Sequence, residues 1–270
     1  MIKQDGHIHT PFCPHGSSDP LKAYIEEAIN QGFGSITFTE HAPLPEGFND
    51  PVPQKDSAMP LSQMELYLKQ VSEAKQEYKQ QIEIKVGLEV DYINGFEQDI
   101  TSFLDTYGPQ IDDSILSVHF LPANGDFLCM DYDDSTFGEL ISIYGTIENV
   151  YEAYYKQVYS SIITPLGRYK PTRIGHIALV KKYVERFPYI MSERIRNLLL
   201  LCLDEISASG MELDFNTSGL RKKLAKTIYL EEWMIEAALQ KKIPLIFGSD
   251  AHQASDIGYS YHRFSESVIG

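Results

Sequence analysis

The feature that most constrains this chain is a rhythm: a short β-rich run, a polar loop, then an amphipathic helical stretch, repeated from one end to the other. Candidate strands fall at 2–7, 35–39, 82–88, 114–118, 173–175, 211–215 and 244–247. Between them the apolar residues follow a helical period, as Leu21, Tyr24, Ile25, Ala28 and Ile29 do in the first interval, with Asp19 and Pro20 as its N-cap and first-turn signal and Gly32 at its end. Ser62 with Glu65, and Thr136 with Glu139, spell capping boxes, and Leu230, Trp233, Met234, Ala237 and Ala238 form the stripe of the helix before the last strand. Strands alternating with helices imply parallel β-α units. Only about twenty residues follow the last strand, too few for an eighth unit. The expected fold is therefore α/β, a distorted seven-stranded (β/α)7 TIM-like barrel forming a single domain over 1–270. An open doubly wound sheet is the alternative, because periodicity does not show closure.

Composition narrows the function. At 43% hydrophobic and 23% charged, the chain suits a globule with a substantial core. Its net charge of −15 argues against an extended basic footprint for nucleic acid but leaves room for a small phosphorylated substrate. Bound divalent cations would invert the local field whatever the overall charge. No apolar run of 18 residues is present, and the start MIKQDGHIHT lacks a signal pattern, so a cytoplasmic protein with no membrane partner is expected. Cys13, Cys129 and Cys202 form neither a C-x-x-C motif nor a disulfide framework, which fits a reducing compartment. The oligomeric state is not legible.

Parallel α/β folds put functional groups at the C-terminal ends of strands. There this sequence places Asp5-Gly-His7-Ile-His9, Glu40-His41, Glu89-Val-Asp91, Ser117-Val-His119, Gly175-His176, Asp214-Phe-Asn216 and Ser249-Asp250-Ala-His252, with His15 in the loop after the first strand. Residues two apart on a strand share a face, so His7 and His9 can reach one ion. Of eight histidines, seven fall at or just beyond these ends, and His262 is left over. One strand-end histidine is more often structural than not. Seven together, with Glu89 and Asp250 among them, point to a water-retaining catalytic site for Zn²⁺, Mn²⁺ or Fe²⁺, since imidazole and carboxylate occur without a thiolate pattern.

DGHIHT, TEH, GLEVDY, SVHF, GHIAL and GSDAH stand in the order of the PHP (polymerase and histidinol phosphatase) family and span almost the whole chain, which the sequence thus resembles. Their spacing and the additional NTSGLR look most like the histidinol-phosphatase branch. The resemblance implies a distorted seven-stranded barrel holding two or three divalent metal ions. By position, it gives His7, His9, Glu89 and Asp250 to the first ion, Glu89 as a bridge with His119 and His176 to the second, and His15, His41 and His252 to the third. Glu89, Asp250 and His252 are its expected catalytic residues. It further implies hydrolysis of L-histidinol phosphate in histidine biosynthesis, by activated water, with no protein nucleophile. The alternatives are a PHP phosphoesterase for phosphotyrosine, a nucleotide or a nucleic-acid end, an amidohydrolase, and a non-catalytic metal-binding protein.

Phosphate recognition calls for arginine, whose planar fork matches phosphate oxygens. Arg168 and Arg221 are the candidates, on the expectation that the loop 164–172 and the turn after Asn216 face the metal end, while Arg173 begins its strand and lies at the other. Asp91 would help select a cationic substrate or else support a ligand or cap a turn, Asn216 would bind substrate or cap its turn, and Glu40 would support a ligand from behind. Cys13 reads as a packed or exposed thiol rather than a soft ligand beside His15. The segments 42–60, with five prolines, and 121–135 are expected to wall the substrate pocket.

Overall fold

A computed structural model describes residues 2–269, so Met1 and Gly270, the two ends of the expected domain, lie outside the described residues. Seven parallel strands, β1 (Gln4–Ile8), β2 (Ser35–His41), β3 (Glu83–Asp91), β4 (Asp113–Ser117), β7 (Arg173–Ile174), β8 (Glu212–Asn216) and β9 (Leu245–Gly248), pair in that spatial order. β5 (Phe120–Ala123) and β6 (Asp126–Cys129) form a separate antiparallel hairpin. Each expected strand is present within a few residues of its expected bounds.

The sheet nearly closes on itself. Past the last strand, Ile8 bridges Ala251, Asp250 N donates to His7 O at 2.8 Å, and His9 N donates to Ala251 O at 2.9 Å. The open doubly wound alternative is thereby set aside. The distortion sits at β7, which has only two residues and touches its neighbours through Arg173 and Ile174.

Helices α1 (Leu21–Asn30), α2 (Met64–Tyr78), α3 (Glu97–Tyr107), α4 (Asp134–Tyr144), α5 (Ile147–Ile163), α6 (Glu193–Ala208) and α7 (Glu232–Gln240) cover the barrel. Their apolar faces do so at helical spacing: Tyr24, Ile25 and Ala28 are buried in α1, and Met64, Tyr67, Leu68 and Val71 in α2. Tyr67 also donates through its hydroxyl to Phe38 O and Gly87 O, pinning α2 to β2 and β3.

The expected caps are where the reading of the chain was wrong. Asp19 does not cap α1; Pro20 stands at that position, and the Asp19 carboxylate accepts from Ala254 N at 2.9 Å. Ser62 lies in a 3-10 turn ahead of α2 with no side-chain cap. Thr136 is already inside the first turn of α4, capped by Asp133, whose Oδ1 accepts from Thr136 N at 2.7 Å. The working side-chain caps are Asp133, Thr146 and Ser192. A capping box and a cap one turn upstream look alike in sequence, because Ser, Thr and Asp all satisfy first-turn N–H groups.

The hairpin was missed although its signal was present. Asn124-Gly125 both have left-handed backbone, φ 51° and 85°, the conformation that a tight two-residue hairpin turn requires.

Candidate metal centre and substrate cavity

All seven strand-end histidines meet at the C-terminal mouth of the barrel around Glu89, which is 1% exposed at the end of β3. One carboxylate oxygen, Oε2, lies 3.4 Å from His7 Nε2, 3.4 Å from His9 Nε2 and 3.2 Å from His41 Nδ1. The other, Oε1, lies 2.8 Å from His176 Nε2 and 3.7 Å from His119 Nε2, and accepts from Ser117 Oγ at 2.6 Å. Glu89 thus stands between two sets of imidazoles.

On five of the seven rings the outward nitrogen meets an oxygen, His41 and His176 being the exceptions. Nδ1 of His7 meets Asp214 Oδ2 at 2.8 Å, that of His9 meets Glu40 Oε1 at 3.4 Å, and that of His119 meets Asp91 Oδ1 at 2.7 Å. His15 and His252 rest Nδ1 on the backbone carbonyls of Asp56 and Asp250, at 2.8 and 3.1 Å. An imidazole that donates Nδ1–H to an oxygen presents Nε2 as a bare lone pair, the form a metal takes. Consistent with that, His7 Nε2, His9 Nε2 and both ring nitrogens of His41 are buried without a hydrogen-bond partner. Buried polar atoms left this way are rare in folded proteins, and their convergence marks a place built for a cation.

Three groups of donors lie within ligating reach of one another: His7, His9 and Glu89; Glu89, His119 and His176; and His9, Cys13, His41 and His252. The first brings together three of the four donors expected for the first ion, and the second the three expected for the second. Asp250 joins the first, its Oδ1 3.2 Å from His9 Nε2 and 3.8 Å from His7 Nε2. In the third, the buried Cys13 thiol stands within the tight cluster, while the exposed His15 ring sits at its edge, 5.0 and 5.3 Å from the rings of His41 and His252.

Local backbone makes this possible. A Cβ on Gly248 would fall 2.2 Å from Asp214 Oδ1 and 2.8 Å from His7 Cβ, so only glycine leaves room for the Asp214–His7 pair. Asp250 has φ 53°, a left-handed conformation uncommon outside glycine and tolerated by Asp. Its Oδ2 accepts from Asn216 Nδ2 at 3.2 Å and Ser218 Oγ at 3.0 Å, which leaves Oδ1 for the histidines.

The electrostatics follow from the same contacts. Burial would raise the Glu89 carboxyl, but the His7 charge and the His176 hydrogen bond hold it well below the usual carboxylate range. Burial, reinforced by neighbouring His9, keeps His41 well below the usual imidazole value. His119 is pushed up to about 10, burial being outweighed by Asp91.

Above the histidines lies a cavity of about 340 Å³. Val52, Asp56 and Ser57 from the 42–60 segment form one wall, and Phe120, Cys129, Asp131 and Tyr132 from the hairpin and its exit form another. Tyr132 Oη donates to Gln54 Oε1 at 2.9 Å and ties the two walls together. Lys182 and Lys222 also face it.

The four residues read as substrate contacts fare differently. Arg168 is misplaced: its loop runs into the N-terminal end of β7, far from the metal end, and the exposed guanidinium lies over Tyr169. A loop that precedes a strand feeds its beginning, and the expectation had reversed this. Arg221 is on the correct side but does not line the cavity; its guanidinium donates to Ser249 O and Asp250 O at 2.9 and 3.0 Å and pairs with Asp256 at 3.2 Å. Asp91 lines the cavity with a carboxylate already engaged by His119. Asn216 is fully buried and holds Asp214 and Asp250 rather than facing the cavity.

Asp214 was placed at its strand end without a role, and Lys182 and Lys222 were overlooked. Asp214 lies two residues before Asn216 and so shares its strand face, a signal available in the sequence. The lysines were passed over because geometry favours arginine on phosphate, a preference that says nothing about which cation the fold aims inward.

The model of the PHP domain matches residues 5–218. A histidinol-phosphatase of Bacillus subtilis (strain 168) is 63% identical over 266 residues, covering 98% of this chain and 99% of the relative. A crystal structure of a Listeria monocytogenes protein, provisionally described as a histidinol phosphatase, superposes with a TM-score of 0.94 at 36% identity, covering 97% of this chain and all of that one (100%). The histidinol phosphate phosphatase of Lactococcus lactis, solved with zinc, L-histidinol and phosphate, shares the fold at a TM-score of 0.76 and 22% identity, covering 99% of this chain and 92% of that one. Barrel, donor groups and sequence converge on one conclusion: the chain belongs to the PHP-domain family, and its similarity runs to the histidinol-phosphatase branch of that family.

Proposed function

We infer that this protein is a histidinol-phosphatase, a metal-dependent phosphoric monoester hydrolase that releases phosphate from L-histidinol phosphate in histidine biosynthesis. The observation that carries the reading is the convergence of unpartnered, buried imidazole nitrogens on Glu89, with their outer nitrogens held by Asp214, Glu40 and Asp91. We assign two or three divalent ions, Zn, Mn or Fe, to the donors His7, His9, Glu89 and Asp250, then Glu89, His119 and His176, then His41 and His252 with His15. Bound there, the ions supply Lewis-acid charge for the phosphate and an acidified water.

The rest is done by the protein's own groups. Glu89 and Asp250 keep the imidazoles at fixed separations and offset their charge. Lys182 and Lys222 face the cavity as cations for phosphate oxygens, in place of the arginines first expected. The walls from 42–60 and from the hairpin give a cavity of about 340 Å³, sized for a small monoester rather than a polymer. We place this activity in one barrel domain over 1–270, in the cytoplasm.

The test pairs metal analysis with phosphate release from histidinol phosphate, nitrophenyl phosphate, a phosphotyrosine peptide and short DNA. The expected result is bound divalent metal and a kcat/KM highest on histidinol phosphate. A rate on histidinol phosphate no better than on nitrophenyl phosphate would overturn the substrate assignment.

A further inference from the structure

The cavity holds a charge pair that the donor groups leave out. Lys182 Nζ lies 2.8 Å from Asp131 Oδ2, with the side chains 20% and 19% exposed, and both residues line the cavity. Asp131 is fixed there twice more: Oδ1 accepts from Cys129 Sγ at 3.3 Å, and its backbone carbonyl accepts from Tyr183 Oη at 2.6 Å. Neither side chain belongs to a metal-ligating group among the described residues. A largely buried ion pair is weak support for a fold, since desolvation cancels most of its attraction. Its place on the cavity wall suggests another use.

The substrate read above is dipolar in the complementary sense, with a phosphate at one end and a protonated amine at the other. We propose that Asp131 is the specificity residue of this enzyme, taking the substrate's ammonium group while Lys182 turns from Asp131 to a phosphate oxygen. One ion pair is exchanged for two, and the cavity favours phosphomonoesters of amino alcohols over esters with a neutral leaving group. Until the substrate binds, Lys182 holds the Asp131 carboxylate ionised and in place. Asp91, the carboxylate first expected in this role, is bound to His119 at 2.7 Å. Asp56 is the remaining carboxylate on the walls, on the opposite loop, and it serves as the comparison.

This inference rests on the histidinol-phosphatase reading, and the experiment separates the two. Wild type, Asp131→Asn, Asp131→Glu and Asp56→Asn are assayed on histidinol phosphate and nitrophenyl phosphate, with histidinol and inorganic phosphate as inhibitors. In Asp131→Asn, the ratio of kcat/KM for histidinol phosphate to that for nitrophenyl phosphate falls about 10- to 100-fold, the worth of a hydrogen bond to a charged group. Inhibition by histidinol weakens by a similar factor, more than inhibition by phosphate does, and Asp131→Glu recovers part of both. Thermal melting shows that the variants are folded.

An equal loss on both substrates would reduce Asp131 to a support for Lys182 and overturn the proposal. So would a selective loss in Asp56→Asn instead. A wild type without preference for histidinol phosphate would overturn the substrate reading itself.

Discussion

The two ends of this barrel both bury charge, and they do so in opposite ways. At the N-terminal end, Arg173 is 1% exposed, donates to Gly6 O at 2.7 Å, pairs with Asp113, and lies 3.6 Å from Glu212. Its charge is met by carboxylates on the neighbouring strands β4 and β8 and by a carbonyl of β1. At the C-terminal end, ring nitrogens of His7, His9 and His41 crowd around one carboxylate oxygen, Glu89 Oε2, and none of them makes a hydrogen bond. At one end the buried cation has its counter-charges within the chain, although Arg173 Nε itself makes no hydrogen bond; at the other, several rings crowd on one carboxylate. A charge met within the chain marks a structural role, and a convergent deficit marks a binding role.

That contrast can be broken in graded steps. Glu89→Ala removes the carboxylate common to both sets of imidazoles and should abolish phosphate release while lowering metal content in elemental analysis; an active, fully loaded variant would refute the site. Arg173→Met, at the other end, leaves the half-buried Asp113 without its cation and should cost about 3 kcal/mol in urea unfolding, the low end for breaking a buried pair. Its folded fraction should keep wild-type KM and metal stoichiometry.

Chelation should lower stability by about 2.7 kcal/mol for each ion otherwise present at a hundredfold its Kd. The Arg173→Met variant should show the same increment, because the two ends are independent. Asp214→Asn keeps shape but weakens the acceptor behind His7, and metal affinity by competition titration should fall about 10- to 100-fold. The smallest effect is expected from Lys222→Ala: a KM for phosphate esters about 10-fold higher, with metal content unchanged. An unchanged KM would remove Lys222 from phosphate recognition.

The sequence carried the fold and the donors further than it carried the substrate contacts, for physical reasons. Strand and helix periods are local, and the strand-end rule converts them directly into a location for His7, His41, Glu89, His119, His176 and Asp250. Substrate contacts depend on which way a side chain turns after its strand ends. Arg221 turned back onto the carbonyls of Ser249 and Asp250, and no local pattern distinguishes that from facing the cavity. Arg168 is a different failure, since chain direction alone places its loop at the start of β7. The caps failed because Asp133 and Thr136 carry interchangeable first-turn chemistry, and only the backbone selects between them.

The seam that joins the first strand to the segment after the last has a consequence in time. Asp250 N reaches His7 O, and His9 N reaches Ala251 O, so ligands from the earliest and latest parts of the chain become neighbours only there. His7 leaves the ribosome 245 residues (252 − 7) before His252. At 5–20 residues per second, that interval is roughly 12–50 s. Throughout it, His7, His9 and His41 lack Asp250 and His252, and a cation they meet has no complete first or third site to enter. Filling those two sites is therefore set by the moment the seam closes, whereas the donors Glu89, His119 and His176 are all made earlier.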